Sequence, residues 1–161
     1  MHIRRLDAAD DLDAAGSLVV RAYETLTRYR PDEEYRAVIG DVRGRVHDTS
    51  VVGAFIAETL VGCLTFVEGP NAPHAEHDDV DAATFRYFGV DPDRQSAGVG
   101  RQMVEWVMAE SRRLGRKRVF IHTIPAMKAA IHLYESLGFV RQPELDQTWD
   151  GVVGWAFVKE L

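Results

Sequence analysis

The segment Asp91–Arg101 contains the residues best suited to bind an anion. Gln95, Gly98 and Gly100 have the spacing Gln-x-x-Gly-x-Gly, between a run typical of a strand and an amphipathic run. Backbone N–H groups are free at the start of a helix, and glycine lets an anion approach the main chain closely. The segment therefore predicts a phosphate-binding loop. On spacing alone, a plain loop followed by a helix explains the residues equally well.

Two common nucleotide-binding loops do not match this segment. A dinucleotide-binding loop needs a third glycine where Met103 stands. A Walker loop needs Lys followed by Ser or Thr after its last glycine, and Arg101 and Gln102 follow instead. Both types of site are excluded here.

Two motifs together resemble the GNAT superfamily of N-acetyltransferases. The glycine segment resembles the first motif of that superfamily, and Ala130-x-x-Leu133-Tyr134-Glu135-Ser136-Leu137-Gly138-Phe139 resembles its closing motif. The motifs lie about one helix and one strand apart, as in the superfamily. The order of predicted elements is similar too, so the resemblance covers essentially the whole chain.

The resemblance implies acetyl-CoA as co-substrate and no metal. The pantetheine arm is expected to pair with backbone from Phe88 through Gly89 to Val90, where an N–H would polarise the thioester carbonyl. The strands Thr84–Val90 and Val119–Thr123 are expected to separate at their carboxyl ends. The residues expected to hold the pyrophosphate through backbone amides are Gln95, Ser96, Ala97, Gly98, Val99, Gly100 and Arg101. Ser96 replaces a glycine, and Met127 an asparagine, that are common in the superfamily.

Tyr134 has two explanations. It shares an apolar helix face with Met127, Ala130 and Leu137, and this spacing alone favours packing. The resemblance places Tyr134 beside the coenzyme sulfur, where it would contact the cofactor and protonate the leaving thiolate. It is the one residue to which the resemblance assigns a catalytic role.

A proton acceptor for the attacking amine is not identified by the sequence. The strand Thr84–Val90 carries no carboxylate, which leaves His122 and the loop residues Asp78, Asp79 and Asp81 as candidates. For each of them a structural or solvated role is the alternative. The loop sequence His74-Ala-Glu-His-Asp-Asp also permits a metal site, although its histidine spacing fixes no common face.

Apolar periodicity predicts the elements that position these residues. Helices are expected at Asp10–Thr27, from Pro31 through Val46, at Val99–Leu114 and at Ala126–Leu137. Strands are expected at Ile3–Leu6, Val51–Ala57, Val61–Val67, Thr84–Val90, Val119–Thr123, Phe139–Val140 and Val152–Val158. The predicted fold class is α/β (α+β): the GNAT fold, a mixed and mostly antiparallel sheet of about seven strands flanked by helices.

Composition narrows the class of protein. The chain has 161 residues and a net charge of −6, so one domain spanning residues 1–161 is expected, and a nucleic-acid partner is disfavoured. No run is apolar enough for a membrane span or a signal peptide, which predicts a cytoplasmic protein with no membrane partner. Cys63, the only cysteine, is expected to be buried. Of the tryptophans, Trp149 is a candidate to border a substrate pocket.

The function expected from the sequence is transfer of an acetyl group from acetyl-CoA to an amine by direct attack in a ternary complex. The acceptor is expected between the first helix pair (Tyr23–Val46), the loop Glu68–Ala83 and the connection Pro143–Gly151. A small-molecule amine, a peptide N-terminus and a lysine all remain open as acceptors, as do a longer acyl group and a homodimer. The alternative function is a non-catalytic module that binds acyl-CoA as a sensor.

Overall fold

The protein folds around one eight-stranded sheet. The computed structural model describes residues 1–95 and 97–161, so the expected contact of Ser96 lies outside the described residues. The elements are β1 (His2–Arg5), α1 (Leu12–Glu24), α2 (Glu33–Gly40), α3 (Val42–Arg45), β2 (Ser50–Ile56), β3 (Thr59–Val67), β4 (Ala82–Val90), α4 (Val99–Arg113), β5 (Arg118–Thr123), α5 (Lys128–Ser136), β6 (Val140–Arg141), β7 (Gln147–Trp149) and β8 (Val152–Glu160).

The strand order is β1-β2-β3-β4-β5-β8-β6, and β7 pairs with β8. Only β4 and β5 are parallel neighbours among these strands; the other pairs are antiparallel. The predicted mixed and mostly antiparallel sheet is thus confirmed, with eight strands where about seven were expected. A parallel pair needs a crossover connection, and α4 supplies it.

Helices cover both faces of the sheet. On one face, Met103 and Val107 of α4 pack with Phe66 and Phe85. On the other face, Val19 of α1 and its neighbours pack with α2 and α3 and with alternate residues of the strands. Successive strand residues point to opposite faces of a sheet, so the strands contribute side chains to both of these buried clusters. Among the described residues, no helix has the length and apolar character needed to cross a bilayer.

Three local features differ from the expectation. The predicted second helix is interrupted at Asp41, whose carboxylate accepts a hydrogen bond from the Gly44 N–H (2.8 Å) and begins α3. Thr59 and Leu60, expected in a hairpin turn, belong to β3. The connection Pro143–Gly151 contains a 3₁₀ turn and the short strand β7.

Candidate active site

The sheet divides between β4 and β5. Their parallel pairing covers three residue pairs, from Ala82 opposite Arg118 to Thr84 opposite Phe120. Beyond these pairs β4 continues to Val90 and β5 to Thr123 without pairing to each other. The expected separation of the two strands at their carboxyl ends is therefore present, and it opens the sheet to ligands from both faces.

A β-bulge at Tyr87 redirects the backbone of β4 beside this gap. The register with β3 shifts between Cys63 and Thr65, so that β4 has one extra residue. Tyr87 has a φ of 51°, an uncommon left-handed conformation for a bulky residue. Its ring is held by the guanidinium groups of Arg45 and Arg86, 4.3 and 4.7 Å from the ring centroid. Packing around the ring thus stabilises a strained backbone next to the opening.

The first cavity, of about 580 Å³, is lined by the start of α4, the start of α5 and the end of α1. It contains most of the expected cofactor-binding residues: Phe88, Gly89, Val90, Gln95, Gly98, Val99, Gly100 and Arg101. The charged residues among its described lining are all basic, namely Arg94, Arg101 and Lys128. An acidic protein thus presents a positively charged cavity, which suits a phosphorylated ligand.

The N-terminus of α4 faces this cavity. Gly98 precedes the helix with a φ of 78°, a conformation that favours glycine, and no described side chain caps the helix. The first N–H groups of a helix have no intrahelical partner, so those of Val99, Gly100 and Arg101 are available to an anion. Ala97 differs, because its N–H donates to the Arg94 carbonyl at 3.3 Å. The residues present therefore fit a pyrophosphate group.

The second cavity, of about 490 Å³, borders the same gap and is lined by residues of both β4 and β5. Its wall brings together the three segments expected around the acceptor: Tyr23 and Tyr35 from the first helix pair, Glu76 from the loop after β3, and Trp149 from the connection before β8. Residues that line both cavities are Tyr23, Phe88, Met127 and Ala130. The two cavities thus meet at the separation of β4 and β5.

Tyr134 lies in the wall of the second cavity. Its ring packs edge-on against Phe85, with centroids 5.8 Å apart, and contacts Phe139 at 5.7 Å. The side chain is buried, and this burial raises the pKa of the phenol well above its usual value. Tyr134 therefore keeps its proton at neutral pH. The ring thus packs in the core, and the residue borders the second cavity and not the first.

His122 and Glu76 lie together in the same wall. His122 Nδ1 is 3.6 Å from a Glu76 carboxylate oxygen, and His122 Nε2 is 2.9 Å from the Leu145 carbonyl oxygen. Glu76 also pairs with Arg86 at 2.6 Å. The sequence identified His122 as a candidate and missed Glu76 in this role. Nothing in the local pattern indicates Glu76, because the loop contacts that place it come from distant strands.

The other candidate proton acceptors lie away from the cavity. Asp79 pairs with Arg118 at 2.5 Å, and Asp81 with Lys117 at 2.9 Å. Asp78 is exposed, and none of the three lines the second cavity. Within residues 1–95 and 97–161, no group of His, Cys, Asp and Glu side chains is arranged to hold a metal ion.

Sequence comparison identifies the family. The model of the acetyltransferase (GNAT) family matches residues 17–139. A mycothiol acetyltransferase of Thermobispora bispora is 36% identical over 94 residues, which are 55% of this chain and 30% of that protein. The ribosomal protein bS18-alanine N-acetyltransferase of Escherichia coli K12 is 40% identical over 60 residues, 37% of this chain and 40% of that protein. The chain thus matches less than half the length of each relative.

Structural comparison agrees with the sequence match. The PaiA N-acetyltransferase from Thermoplasma acidophilum, solved in complex with coenzyme A, has a TM-score of 0.76 with 14% identity, covering 99% of this chain and 98% of that one. This similarity is one of fold. Because the family model matches most of the sequence, the chain belongs to the GNAT family of acetyltransferases, which its two motifs resemble.

Proposed function

We propose that this protein transfers the acetyl group of acetyl-CoA to a primary amine. The observation that supports the proposal is the junction of two cavities at the separation of β4 and β5, one basic and facing the N-terminus of α4, the other bordered by Tyr134. This arrangement allows two ligands to meet between the strands. The amine and the acetyl donor are then held together, which favours direct attack.

The cofactor half of the site binds through backbone and positive charge. The free N–H groups of Val99, Gly100 and Arg101 and the cations Arg94 and Lys128 hold the phosphate groups. Acetyl-CoA supplies the acetyl group as a thioester. The unpaired edge of β4 after Thr84 accepts the extended arm of the ligand as an added strand. Backbone N–H groups near Val90 then stabilise negative charge on the thioester oxygen.

Tyr134 donates a proton in the same reaction. Its phenol stays protonated in the buried wall, so it can deliver a proton to the departing thiolate. A thiolate is a good leaving group, and the acid therefore accelerates the step without being indispensable. The buried Cys63 is packed in the opposite core cluster and lines neither cavity, which argues against a covalent acetyl-cysteine route.

The acceptor is a primary amine that fits the second cavity. Tyr23, Tyr29, Tyr35 and Trp149 give this cavity an aromatic wall. Such a wall accommodates the apolar part of an acceptor, and a free amine can approach Tyr134 from within it. A small amine, a lysine side chain and a peptide N-terminus all present the required group. The relative from E. coli is named as an alanine N-acetyltransferase of a ribosomal protein, which makes a peptide with an N-terminal alanine a useful test substrate.

Calorimetric titration with acetyl-CoA tests the cofactor half directly. We expect saturable binding of acetyl-CoA and coenzyme A and none of NAD. Lys128→Gln is expected to weaken binding several-fold, whereas Arg112→Gln, an exposed position of α4 outside the cavity, is expected to leave it unchanged. No binding by folded, cofactor-free protein would defeat the proposal. Binding without turnover of any amine would favour a sensor module instead.

A further inference from the structure

The ring of His122 is held in one orientation. Its side chain is 2% exposed, and it packs edge-to-face against Phe120 and Trp149, with centroids 4.7 and 5.2 Å away. His122 Nε2 lies 2.9 Å from the carbonyl oxygen of Leu145. A carbonyl only accepts hydrogen bonds, so Nε2 must carry a proton in this contact. The neutral imidazole therefore has its lone pair on Nδ1.

His122 Nδ1 is a buried nitrogen without a hydrogen-bond partner among the described residues. A buried polar atom left unpaired is rare and costs free energy, which points to a role in binding or catalysis. A carboxylate oxygen of Glu76 lies 3.6 Å from Nδ1, too far for a hydrogen bond but close enough to stabilise a positive charge. The residue lines the same cavity as Tyr134.

We infer that His122 accepts the proton of the attacking amine through Nδ1. This inference rests on the proposed acetyl transfer. The nitrogen–carbon bond forms as the carbon–sulfur bond breaks, the amine proton moves to His122 Nδ1, and the Tyr134 proton moves to the thiolate. After the products leave, His122 loses its extra proton to solvent and Tyr134 regains one from solvent. Both residues are then restored for the next cycle. One proton is thereby transferred from nitrogen to sulfur overall.

Glu76 and the Leu145 carbonyl act as positioning groups in this arrangement. The Leu145 carbonyl selects the tautomer, and the Glu76 carboxylate lies beside Nδ1, where the positive charge of the imidazolium develops. Arg86 pairs with the same carboxylate at 2.6 Å and fixes its place. The other charged groups near the ring or in the cavity wall are Arg30, Asp32, Asp146 and Asp150.

Nuclear magnetic resonance of the ¹⁵N-labelled protein tests the tautomer without any acceptor. At alkaline pH we expect the neutral His122 ring to show the proton on Nε2 and none on Nδ1. The His122→Gln variant identifies the signals of this ring by their loss. A neutral His122 with its proton on Nδ1 would overturn the inference and leave the proposed acetyl transfer untouched.

Kinetics test the proton transfer itself. Spermidine, free amino acids and a peptide with an N-terminal alanine serve as acceptors, and released thiol is measured. His122→Gln keeps a hydrogen-bond donor and removes the proton acceptor, so kcat should fall at least about 100-fold. Its acetyl-CoA affinity should match that of the wild type. His132→Gln, an exposed position on α5 outside both cavities, is the matched control and should retain full activity.

The counter-charge is tested by two changes at Glu76. Glu76→Gln should lower kcat. Glu76→Asp keeps the charge and should restore a large part of kcat. If Glu76 had a purely structural role, kcat would not depend on the charge of this side chain. A wild-type kcat in His122→Gln would refute the role of His122 as proton acceptor and would leave the proposed acetyl transfer intact. Binding of acetyl-CoA without turnover of any of these amines by the wild type would defeat the proposed transfer and the inference with it.

Discussion

The ring of Trp149 lies over the backbone of Gly154 on the neighbouring strand. A Cβ at Gly154 would collide with the six-membered part of this ring, so the contact requires glycine. From that position the Trp149 ring meets His122 at a right angle, with centroids 5.2 Å apart. Gly154, which lines neither cavity, thus controls the position of a residue in the wall of the second cavity.

Gly154→Ala is therefore expected to impair acceptor binding selectively. The added methyl group must displace the Trp149 ring, and overpacking of this kind typically costs about 1 to 3 kcal/mol. We expect the acceptor KM to rise about tenfold, while acetyl-CoA affinity stays unchanged because Trp149 is absent from the first cavity. Val153→Ala, at an exposed neighbouring position, is the control. Equal KM values in all three proteins would contradict this role of the glycine.

Tyr134→Phe is expected to lower kcat without changing the affinity for acetyl-CoA. The phenyl ring preserves the packing with Phe85 and Phe139 and removes only the proton donor. We expect kcat to fall about 10- to 100-fold, at the low end for a general acid because the thiolate leaves easily. Acetyl-CoA affinity by calorimetry and the thermal midpoint should remain at wild-type values. An unaltered kcat would remove the acid role and leave Tyr134 as a packing residue.

Glu110 joins α4 to β1 and should make stability depend on pH. Its carboxylate bonds to Arg113 at 2.7 Å and to Arg5 at 2.6 Å, and these contacts, Arg113 first, lower the pKa of Glu110 to about 2 despite partial burial. A depressed pKa in the folded state stabilises the fold above the unfolded pKa, near 4.5, and this contribution disappears as the pH falls toward 2.

Denaturant unfolding of Glu110→Gln measures this contribution. We expect the free energy of unfolding at pH 7 to fall by about 1 to 2 kcal/mol, less than the pKa shift alone implies, because both arginines are partly exposed. The difference from the wild type should narrow below pH 4 and nearly vanish near pH 2. Glu135→Gln, at an exposed position on α5, should change little at any pH. A difference that is independent of pH would show that the ion pairs are not its cause.

Cys63 is expected to be chemically inert in the folded protein. It is 1% exposed in the apolar cluster beneath α1, and burial raises the pKa of its thiol to about 12. The reactive thiolate is therefore nearly absent at pH 8. A thiol reagent such as Ellman's reagent should label no cysteine in the native protein and one per chain in denaturant. Rapid labelling of the native protein would contradict this burial.

Strong local patterns allowed the helices and strands around the cofactor cavity to be predicted from sequence. The helix expected at Val99–Leu114 extends from Val99 to Arg113, because its apolar face and the glycines that flank it are local features. The interruption at Asp41 was not predicted, since the apolar stripe continues past it to Val46. The capping pattern at Asp41 was the available signal.

The second cavity was harder to predict because tertiary contacts build it. Glu76 lies in a loop without periodicity, and its position depends on Arg86 of β4 and on the side chain of Gln147, which donates to its carbonyl. The strand Gln147–Trp149 is too short for a periodic pattern to reveal. Assignments of individual cofactor contacts, from Phe88 to Arg101, remain predictions for the titrations to test.

The pairing of β4 with β5 over three residue pairs also affects the stability of the protein against unfolding. Both cavities lie along the separation of β4 and β5, and each has walls from both sides of it. Tyr23 and Phe88 lie on the side of β4, and Met127 and Ala130 lie on the side of β5. A ligand that fills either cavity therefore contacts both halves of the sheet and stabilises their association. Ligand at about 100 times its Kd raises the free energy of unfolding by about 2.7 kcal/mol. A rise in melting temperature can consequently reveal an acceptor amine before any turnover assay exists for it.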